Sequence, residues 1–75
     1  PLQARLCSYI RIVCANGFFH EKLTELAELL GTSYRHLLRT LDALCAQGVL
    51  SREENGFRVM DEEALQRLGG DAYRF

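Results

Sequence analysis

Residues 23–47, LTELAELLGTSYRHLLRTLDALCAQ, are the stretch that decides the fold of this chain. Leucines recur at helical spacing on both sides of Gly31, so the stretch predicts two short helices joined by a tight turn. The first helix covers about Leu23–Leu30. The second runs from Tyr34 to about Gln47, because Ser33 directly before it can accept a hydrogen bond from a free backbone N–H as an N-cap. Two helices joined by a glycine-containing turn form a helix-turn-helix.

A β-hairpin is predicted directly after the second helix. Val49 to Glu54 and Phe57 to Met60 are two short runs typical of strands, and Asn55-Gly56 lies between them. Asn-Gly accepts positive φ at both positions, so we expect a type I′ turn there. In that register Glu53 lies directly opposite Arg58, as an oppositely charged cross-strand pair. A hairpin in this place is the wing of a winged helix-turn-helix.

The flanking segments add one helix at each end of the chain. Apolar residues at helical spacing predict a first helix from Leu2 to about Cys14, which Asn16-Gly17 ends. Phe18-Phe19 then forms either a brief strand or an aromatic staple onto the core. Near the other end, Asp61 is expected to cap a short helix over residues 62–68, whose first turn is acidic as the helix dipole favours.

The complete pattern predicts a winged helix-turn-helix, mainly α with a small β-hairpin. A three-helix core, the wing and a short C-terminal helix form a single domain over residues 1–68. Gly69-Gly70 ends the last helix, and residues 69–75 are expected to form a loose C-terminal tail. The chain begins with Pro1 and not with Met, so we expect that an upstream sensor or dimerisation domain has been removed.

The composition limits the function classes. The chain has 75 residues, 48% of them hydrophobic, and nine Lys+Arg against ten Asp+Glu give a net charge of −1. This length and apolar fraction suit one globular domain without a deep active-site cavity. The charge balance excludes a protein that is basic all over, but it allows a local basic face. No apolar run approaches the ~20 residues that cross a bilayer.

The three cysteines, Cys7, Cys14 and Cys45, do not form a disulfide framework. Cys7 and Cys14 are separated by about 10 Å along the predicted first helix. A disulfide needs Cα atoms within about 7 Å, so a straight helix excludes a bridge between them. We expect buried, reduced thiols in a cytoplasmic protein, with no metal or cofactor in this domain.

The exposed face of the second helix of the motif is the candidate functional surface. Its leucines and Cys45 predict a buried stripe, and the opposite face carries five other side chains: Arg35, His36, Arg39, Thr40 and Ala43. The N-terminal residues of a recognition helix reach base edges in the major groove, and arginine matches guanine O6 and N7. We therefore assign base contacts to Arg35, His36 and Arg39. Phosphate contacts are assigned to the hydroxyl groups of the same segment: Ser33, Tyr34 and Thr40.

An ordinary solvated helix face would also carry such charges, since Arg35 and Arg39 stand at a common i, i+4 spacing. Two observations favour nucleic-acid contact over that interpretation. From Arg35 onward no acidic residue occurs until Asp42, which lies toward the other side of the helix. The helix also follows a helix-turn-helix turn and precedes a wing, and this context carries more weight than the charge.

The residues of this region also resemble a known family. LAELLGTS at residues 26–33, YRHLLRTL at 34–41 and GVL at 48–50 resemble the C-terminal DNA-binding domain of the Crp/Fnr family of bacterial transcription regulators, and within it the YeiL branch. The resemblance covers residues 2–60, and the helix-turn-helix is its most specific part. It implies sequence-specific binding of double-stranded DNA by the output domain of a regulator, with the recognition helix over residues 34–47 in the major groove.

The same resemblance implies partners for the full-length protein. Members of the family are homodimers with an N-terminal effector-binding barrel and a long dimerisation helix, both of which would precede Pro1. It therefore implies a homodimer on a palindromic operator, an effector for the upstream domain, and RNA polymerase as a further partner.

The sequence departs from the family pattern at the recognition helix and the wing. Ser33 and Arg39 match the pattern, but Tyr34 stands where an arginine is usual and Arg35 stands where a glutamate is usual. The resemblance thus carries a base-reading role over to Arg39 alone. The wing tip has Glu53-Glu54-Asn55-Gly56 where Gly-Lys is frequent, and its carboxylates predict a weak wing contact with phosphates.

Two other function classes are weighed against DNA binding. A winged helix that binds proteins would suit the near-neutral charge and the acidic wing, but the recognition-helix face is polar where such a module exposes an apolar patch. An enzyme is rejected, because no carboxylate pair, nucleophile-base spacing or phosphate loop occurs. His20 and His36 are interpreted as surface residues and not as metal ligands or bases.

Overall fold

Four helices and three short strands follow one another along the described part of the chain. The structure is a computed structural model, and it describes residues 1–14 and 16–70. The elements in chain order are α1 (Leu2–Val13), β1 (Phe18–Phe19), α2 (Leu23–Leu30), α3 (Tyr34–Ala46), β2 (Leu50–Glu53), β3 (Gly56–Val59) and α4 (Glu62–Gly69). The predicted winged helix-turn-helix is confirmed. The loose tail is predicted over residues 69–75, of which residues 71–75 lie outside the described residues.

The core is formed by apolar side chains from every helix and from the sheet. The fully buried ones are mostly leucines at helical spacing: Leu6, Ile10, Leu26, Leu30, Leu37, Leu41, Leu44 and Leu65. On α3, Leu38 and Cys45 are only partly buried, at the edge of the predicted stripe. None of the described helices is long and apolar enough to cross a membrane.

The strands form one antiparallel sheet in the order β1-β3-β2. Phe18-Phe19 therefore forms a strand, and it also contributes to the core, because Phe19 is only 1% exposed. The ring of Phe19 packs against Tyr9 edge-on and against Phe57, with ring centroids 6.5 and 6.4 Å apart. The sheet is thus attached to α1 through aromatic contacts.

The register of the hairpin differs from the prediction. Glu53 pairs with Gly56, so the turn residues are Glu54 and Asn55, and neither they nor Gly56 have positive φ. The predicted type I′ turn at Asn55-Gly56 and the direct pairing of Glu53 with Arg58 are therefore wrong. The two charged side chains nevertheless meet diagonally, with Arg58 Nε 3.0 Å from Glu53 Oε2.

Two tertiary contacts explain this register. It places Leu50 opposite Val59, so that two apolar residues meet next to the core. It also places Gly56 beneath β1, where a Cβ atom would stand 3.0 Å from the Phe18 ring and closer still to the carbonyl oxygen of Phe19. The close approach of β1, which local sequence does not reveal, therefore selects the position of the glycine.

The last helix packs against the first. The Ser8 hydroxyl donates a buried hydrogen bond of 3.2 Å to the carbonyl oxygen of Gly69, and Asp61 caps α4 by accepting from the N–H of Ala64. The predicted end of this helix at Leu68 is one residue short. Gly69 lies in the last turn and is buried, because only a residue without a Cβ lets the two helices approach so closely at Ser8.

Candidate nucleic-acid interface

The turn between α2 and α3 is fixed by backbone hydrogen bonds and by one side-chain cap. Gly31 has φ of 68°, the left-handed conformation that suits glycine at the end of a helix. The N–H of Thr32 donates to the carbonyl oxygen of Ala27 at 2.9 Å. At the start of α3, Ser33 Oγ accepts from the N–H of His36 at 3.0 Å, which confirms the predicted N-cap. The orientation of α3 is therefore set at its first turn.

The first half of α3 presents a polar face to solvent. Ser33, Arg35, His36 and Arg39 are exposed, and Tyr34 has an exposed fraction of 47%. These are five of the six residues to which the sequence assigned DNA contacts. The structure brings them together along one and a half turns of a single helix, with Ala43 exposed further along.

Thr40 is the exception. We expected it on the exposed face, but it is only 9% exposed, and its hydroxyl donates to the carbonyl oxygen of His36 at 3.0 Å. The expected exposure is therefore wrong. Thr40 belongs to the buried stripe Leu37, Thr40, Leu41 and Leu44, whose i, i+3, i+4, i+7 spacing would have placed it there.

The arginines on this face are not neutralised by neighbouring carboxylates. The ion pairs among the described residues join Lys22 to Glu25, Arg52 to Asp42 and Arg58 to Glu53, and none of them includes Arg35 or Arg39. Asp42 is the only acidic residue of α3, and its partner Arg52 lies on the wing. The positive charge of Arg35 and Arg39 is thus available to an anionic ligand.

The wing, in contrast, uses its two arginines internally. The Arg52 guanidinium lies 5.7 Å from the centroid of the Phe57 ring, and that of Arg58 lies 5.2 Å from the Phe18 ring, both within the range of cation–π contacts. Each of them also pairs with a carboxylate. Glu54 is exposed at the turn. The wing therefore offers a phosphate less attraction than α3 does.

A shallow, open groove runs beside the exposed face of α3. One wall consists of His36, Arg39, Thr40 and Ala43, and the other of residues 1–3 at the start of α1. His36 Nδ1 lies 3.3 Å from Thr32 Oγ1, so the imidazole is held beside the turn. A groove of this shape suits an extended ligand better than an enclosed small molecule.

The cysteines and histidines form no chemical site in the described part of the chain. Burial raises the pKa of the fully buried Cys7 thiol to about 11, and burial together with Asp42 raises the pKa of Cys45. All three cysteines are free thiols, and His20 Nδ1 contacts the carbonyl oxygen of Asn55 at the wing. Across residues 1–14 and 16–70 no three His, Cys, Asp or Glu side chains come together as a metal site.

Comparison with known proteins gives consistent matches over nearly the whole chain. The model of the Crp-like helix-turn-helix domain family matches residues 4–68. The regulatory protein YeiL of Escherichia coli O157:H7 is 37% identical over 68 residues, which are 91% of this chain and 31% of that relative. The chain thus spans about a third of the length of this relative.

A solved structure shares the fold. The crystal structure of reduced CprK in the absence of any ligand superposes with a TM-score of 0.75 over 91% of this chain and 38% of that chain. The sequence identity is 17%, so this likeness concerns the fold alone.

Proposed function

Because the chain belongs to the Crp-like helix-turn-helix domain family, a family of DNA-binding domains of transcription regulators, we propose that it binds duplex DNA sequence-specifically as the output domain of a bacterial regulator. Helix α3 enters the major groove in this proposal. The observation that carries it is the exposed face of α3, where Arg35 and Arg39 point to solvent without a paired carboxylate among the described residues.

Each residue of the face has a proposed role. Arg39 and Arg35 donate to O6 and N7 of guanines, and His36 contacts a neighbouring base edge. Ser33 and Tyr34 donate from their hydroxyl groups to phosphates beside the start of α3. The sequence assigns Thr40 to a phosphate contact, but its hydroxyl donates a hydrogen bond to the His36 carbonyl oxygen, so its proposed role is to support this turn of the helix.

The full-length protein is proposed to act as a homodimer on a palindromic operator. A net charge of −1 supports only weak non-specific attraction to DNA, since that attraction comes mainly from Lys and Arg near phosphates. Two copies of α3 on successive half-sites would supply the missing affinity. An upstream effector-binding domain, contact with RNA polymerase and a cytoplasmic location complete the proposal.

Fluorescence anisotropy with DNA selected from a randomised duplex pool tests the proposal. The fairest sample is a dimer made by fusing the chain to a coiled coil. If three phosphates are neutralised, affinity should fall about 40-fold between ~50 and ~200 mM salt, because log K falls by about 0.9 per phosphate for each decade of salt. Arg39→Ala should weaken binding about 5- to 150-fold per half-site, as expected for loss of one guanine contact in each subunit.

Arg67→Ala is the matched control. Arg67 is an exposed arginine on α4, so this variant removes the same charge from another helix. Binding that is independent of salt, or equally strong in Arg39→Ala and the unchanged chain, would refute the proposal.

Protein binding is the second candidate, and one observation favours it. Leu29 on α2 is 64% exposed and Tyr34 is 47% exposed, so two large side chains near the turn lack a covering neighbour. This candidate would be supported if the unchanged chain showed no salt-dependent DNA binding and bound a protein partner that Leu29→Ser no longer binds.

A further inference from the structure

One carboxylate lies beside the proposed DNA-reading face. Asp42 follows Arg39 by three residues on α3, and residues at i and i+3 are neighbours on the surface of a helix. Both side chains are exposed, so Asp42 lies next to Arg39, and the expectation that it lies toward the other side of the helix is wrong. An ion pair between these two side chains would withdraw Arg39 from the DNA. In the structure Asp42 pairs with Arg52 instead, with 3.8 Å between Asp42 Oδ1 and Arg52 Nη1.

The Arg52 side chain contacts the Phe57 ring as well as Asp42. Its guanidinium lies over the ring of Phe57, with 5.7 Å to the centroid, and the Phe57 side chain is itself buried in the core. The strand that carries Arg52, β2, packs against α3. Arg52, which pairs with Asp42, is therefore part of the contact between the wing and α3.

We propose that Arg52 is a positioning residue for DNA recognition, because by holding the carboxylate of Asp42 toward the wing it keeps Arg39 free to contact DNA. This inference rests on the proposed function of the α3 face. Arg52 acts through Asp42 and touches no DNA itself. The wing then contributes to binding by removing a competitor from the recognition helix, and not by contacting phosphate.

The size of the effect follows from the competition. An i, i+3 ion pair on a helix surface has an equilibrium constant of about 1.4–2.3. The exposed pair between Asp42 and Arg52 has a similar strength, so it removes Asp42 from Arg39 only part of the time. When Arg52 is removed, the affinity of one domain for DNA therefore falls about 1.5- to twofold. The ion pair is exposed, with side chains 62% and 66% accessible, so folding stability should change little.

Four variants of the 75-residue chain test the inference by titration with a selected duplex. Arg52→Ala should bind about 1.5- to twofold more weakly, and Arg52→Lys should restore most of the affinity. Asp42→Asn should bind at least as well as the unchanged chain. The double variant Arg52→Ala/Asp42→Asn should recover the affinity of Asp42→Asn, which a merely structural role of Arg52 would not produce.

Arg58→Ala is the matched control, since Arg58 is the other wing arginine that pairs with a carboxylate and lies over an aromatic ring. If Arg52→Ala and Arg58→Ala weaken binding equally and Asp42→Asn rescues neither, the effect is only that of the lost charge and the inference is overturned. A smaller salt dependence in Arg52→Ala without rescue would likewise overturn it, because Arg52 would then contact a phosphate directly.

A measurement without DNA separates this inference from the proposed function. The Nε–H resonance of Arg39 in the free protein should shift in Arg52→Ala and return in the double variant, with the shift suppressed by salt. If the unchanged chain binds no duplex but this shift appears, the competition is real and only the proposed function fails. If the resonance is unchanged in Arg52→Ala, the inference fails whatever the chain binds.

Discussion

Replacing Gly56 by alanine tests the packing of β1 on the wing, and the sign of the effect is decisive. Gly56 does not have positive φ, so in open space an alanine would raise the free energy of unfolding by about 0.4–1 kcal/mol, since it restricts the unfolded chain. The structure leaves no such space. The added Cβ would stand 3.0 and 3.1 Å from two carbons of the Phe18 ring and closer to the carbonyl oxygen of Phe19.

The expected cost follows from which of these neighbours can move. The Phe18 ring can rotate, but the Phe19 carbonyl is backbone and belongs to a residue buried in the core. A methyl group forced into such a place costs about 1–3 kcal/mol. Because the nearest neighbour is backbone, the cost lies in the upper part of this range, at about 2–3 kcal/mol. After the gain from the restricted unfolded chain, the net loss is about 1–2.6 kcal/mol, or roughly 4–21 °C in Tm for a domain of this size.

Thermal and urea unfolding followed by circular dichroism measure this change. Glu54→Ala is the control, since it alters the exposed turn without filling space and should change stability by less than about 0.5 kcal/mol. A Gly56→Ala variant as stable as the unchanged chain, or more stable, would show that β1 does not lie against Gly56 and would refute the explanation of the hairpin register.

Three further predictions concern the core, a thiol and the DNA-reading face. Leu41 is fully buried, so Leu41→Ala should lower the free energy of unfolding by about 2–5 kcal/mol in urea titrations; a loss below about 1 kcal/mol would contradict this assignment to the core. Burial raises the pKa of Cys7 from 9.0 to about 11, so mass spectrometry should find Cys7 alkylated by iodoacetamide last of the three cysteines. The Cys7 thiol has the lower pKa in the unfolded chain, so the unfolded chain loses the thiol proton at a lower pH than the folded chain does. The contribution of Cys7 to the free energy of unfolding is therefore complete below pH 9 and is lost as pH rises toward 11. A free energy of unfolding that does not change between pH 9 and 11 would contradict the raised pKa. His36 is exposed on the face of α3, whereas His20 contacts the turn of the wing, so His36→Ala should weaken DNA binding about 5-fold in the anisotropy assay and His20→Ala should leave it unchanged; equal affinity of both variants and the unchanged chain would exclude His36 from the interface.

The helices and the N-cap were predictable because their signals are local. Leucines at helical spacing select one face of α3 for burial, and the residues opposite them, including Arg35 and Arg39, become exposed without further information. The same rule applied strictly would have placed Thr40 in the buried stripe. A threonine hydroxyl can donate a hydrogen bond to a backbone carbonyl of the preceding turn, as Thr40 does to His36. A buried position therefore leaves its polar group with a partner.

The features that sequence reasoning missed depend on contacts between distant segments. The hairpin register follows from β1, which lies more than 30 residues before Gly56 and pairs with β3. The pairing of Asp42 with Arg52 requires the wing to fold back on α3. Nothing in the local sequence around these residues encodes such contacts, and both of them determine which charges the domain presents.

The contact between α1 and α4, which the hydrogen bond from Ser8 to Gly69 joins, also has a consequence for biosynthesis. Ser8 and Gly69, which it joins, stand 61 positions apart in the chain, and α4 is the main helical neighbour of α1. A ribosome therefore makes the helix-turn-helix and the wing before α1 can meet its partner, and a nascent chain that stops at Asp61 keeps that side of α1 uncovered. Contacts between residues so far apart in the chain form slowly. The domain therefore completes its fold only after α4 has been translated.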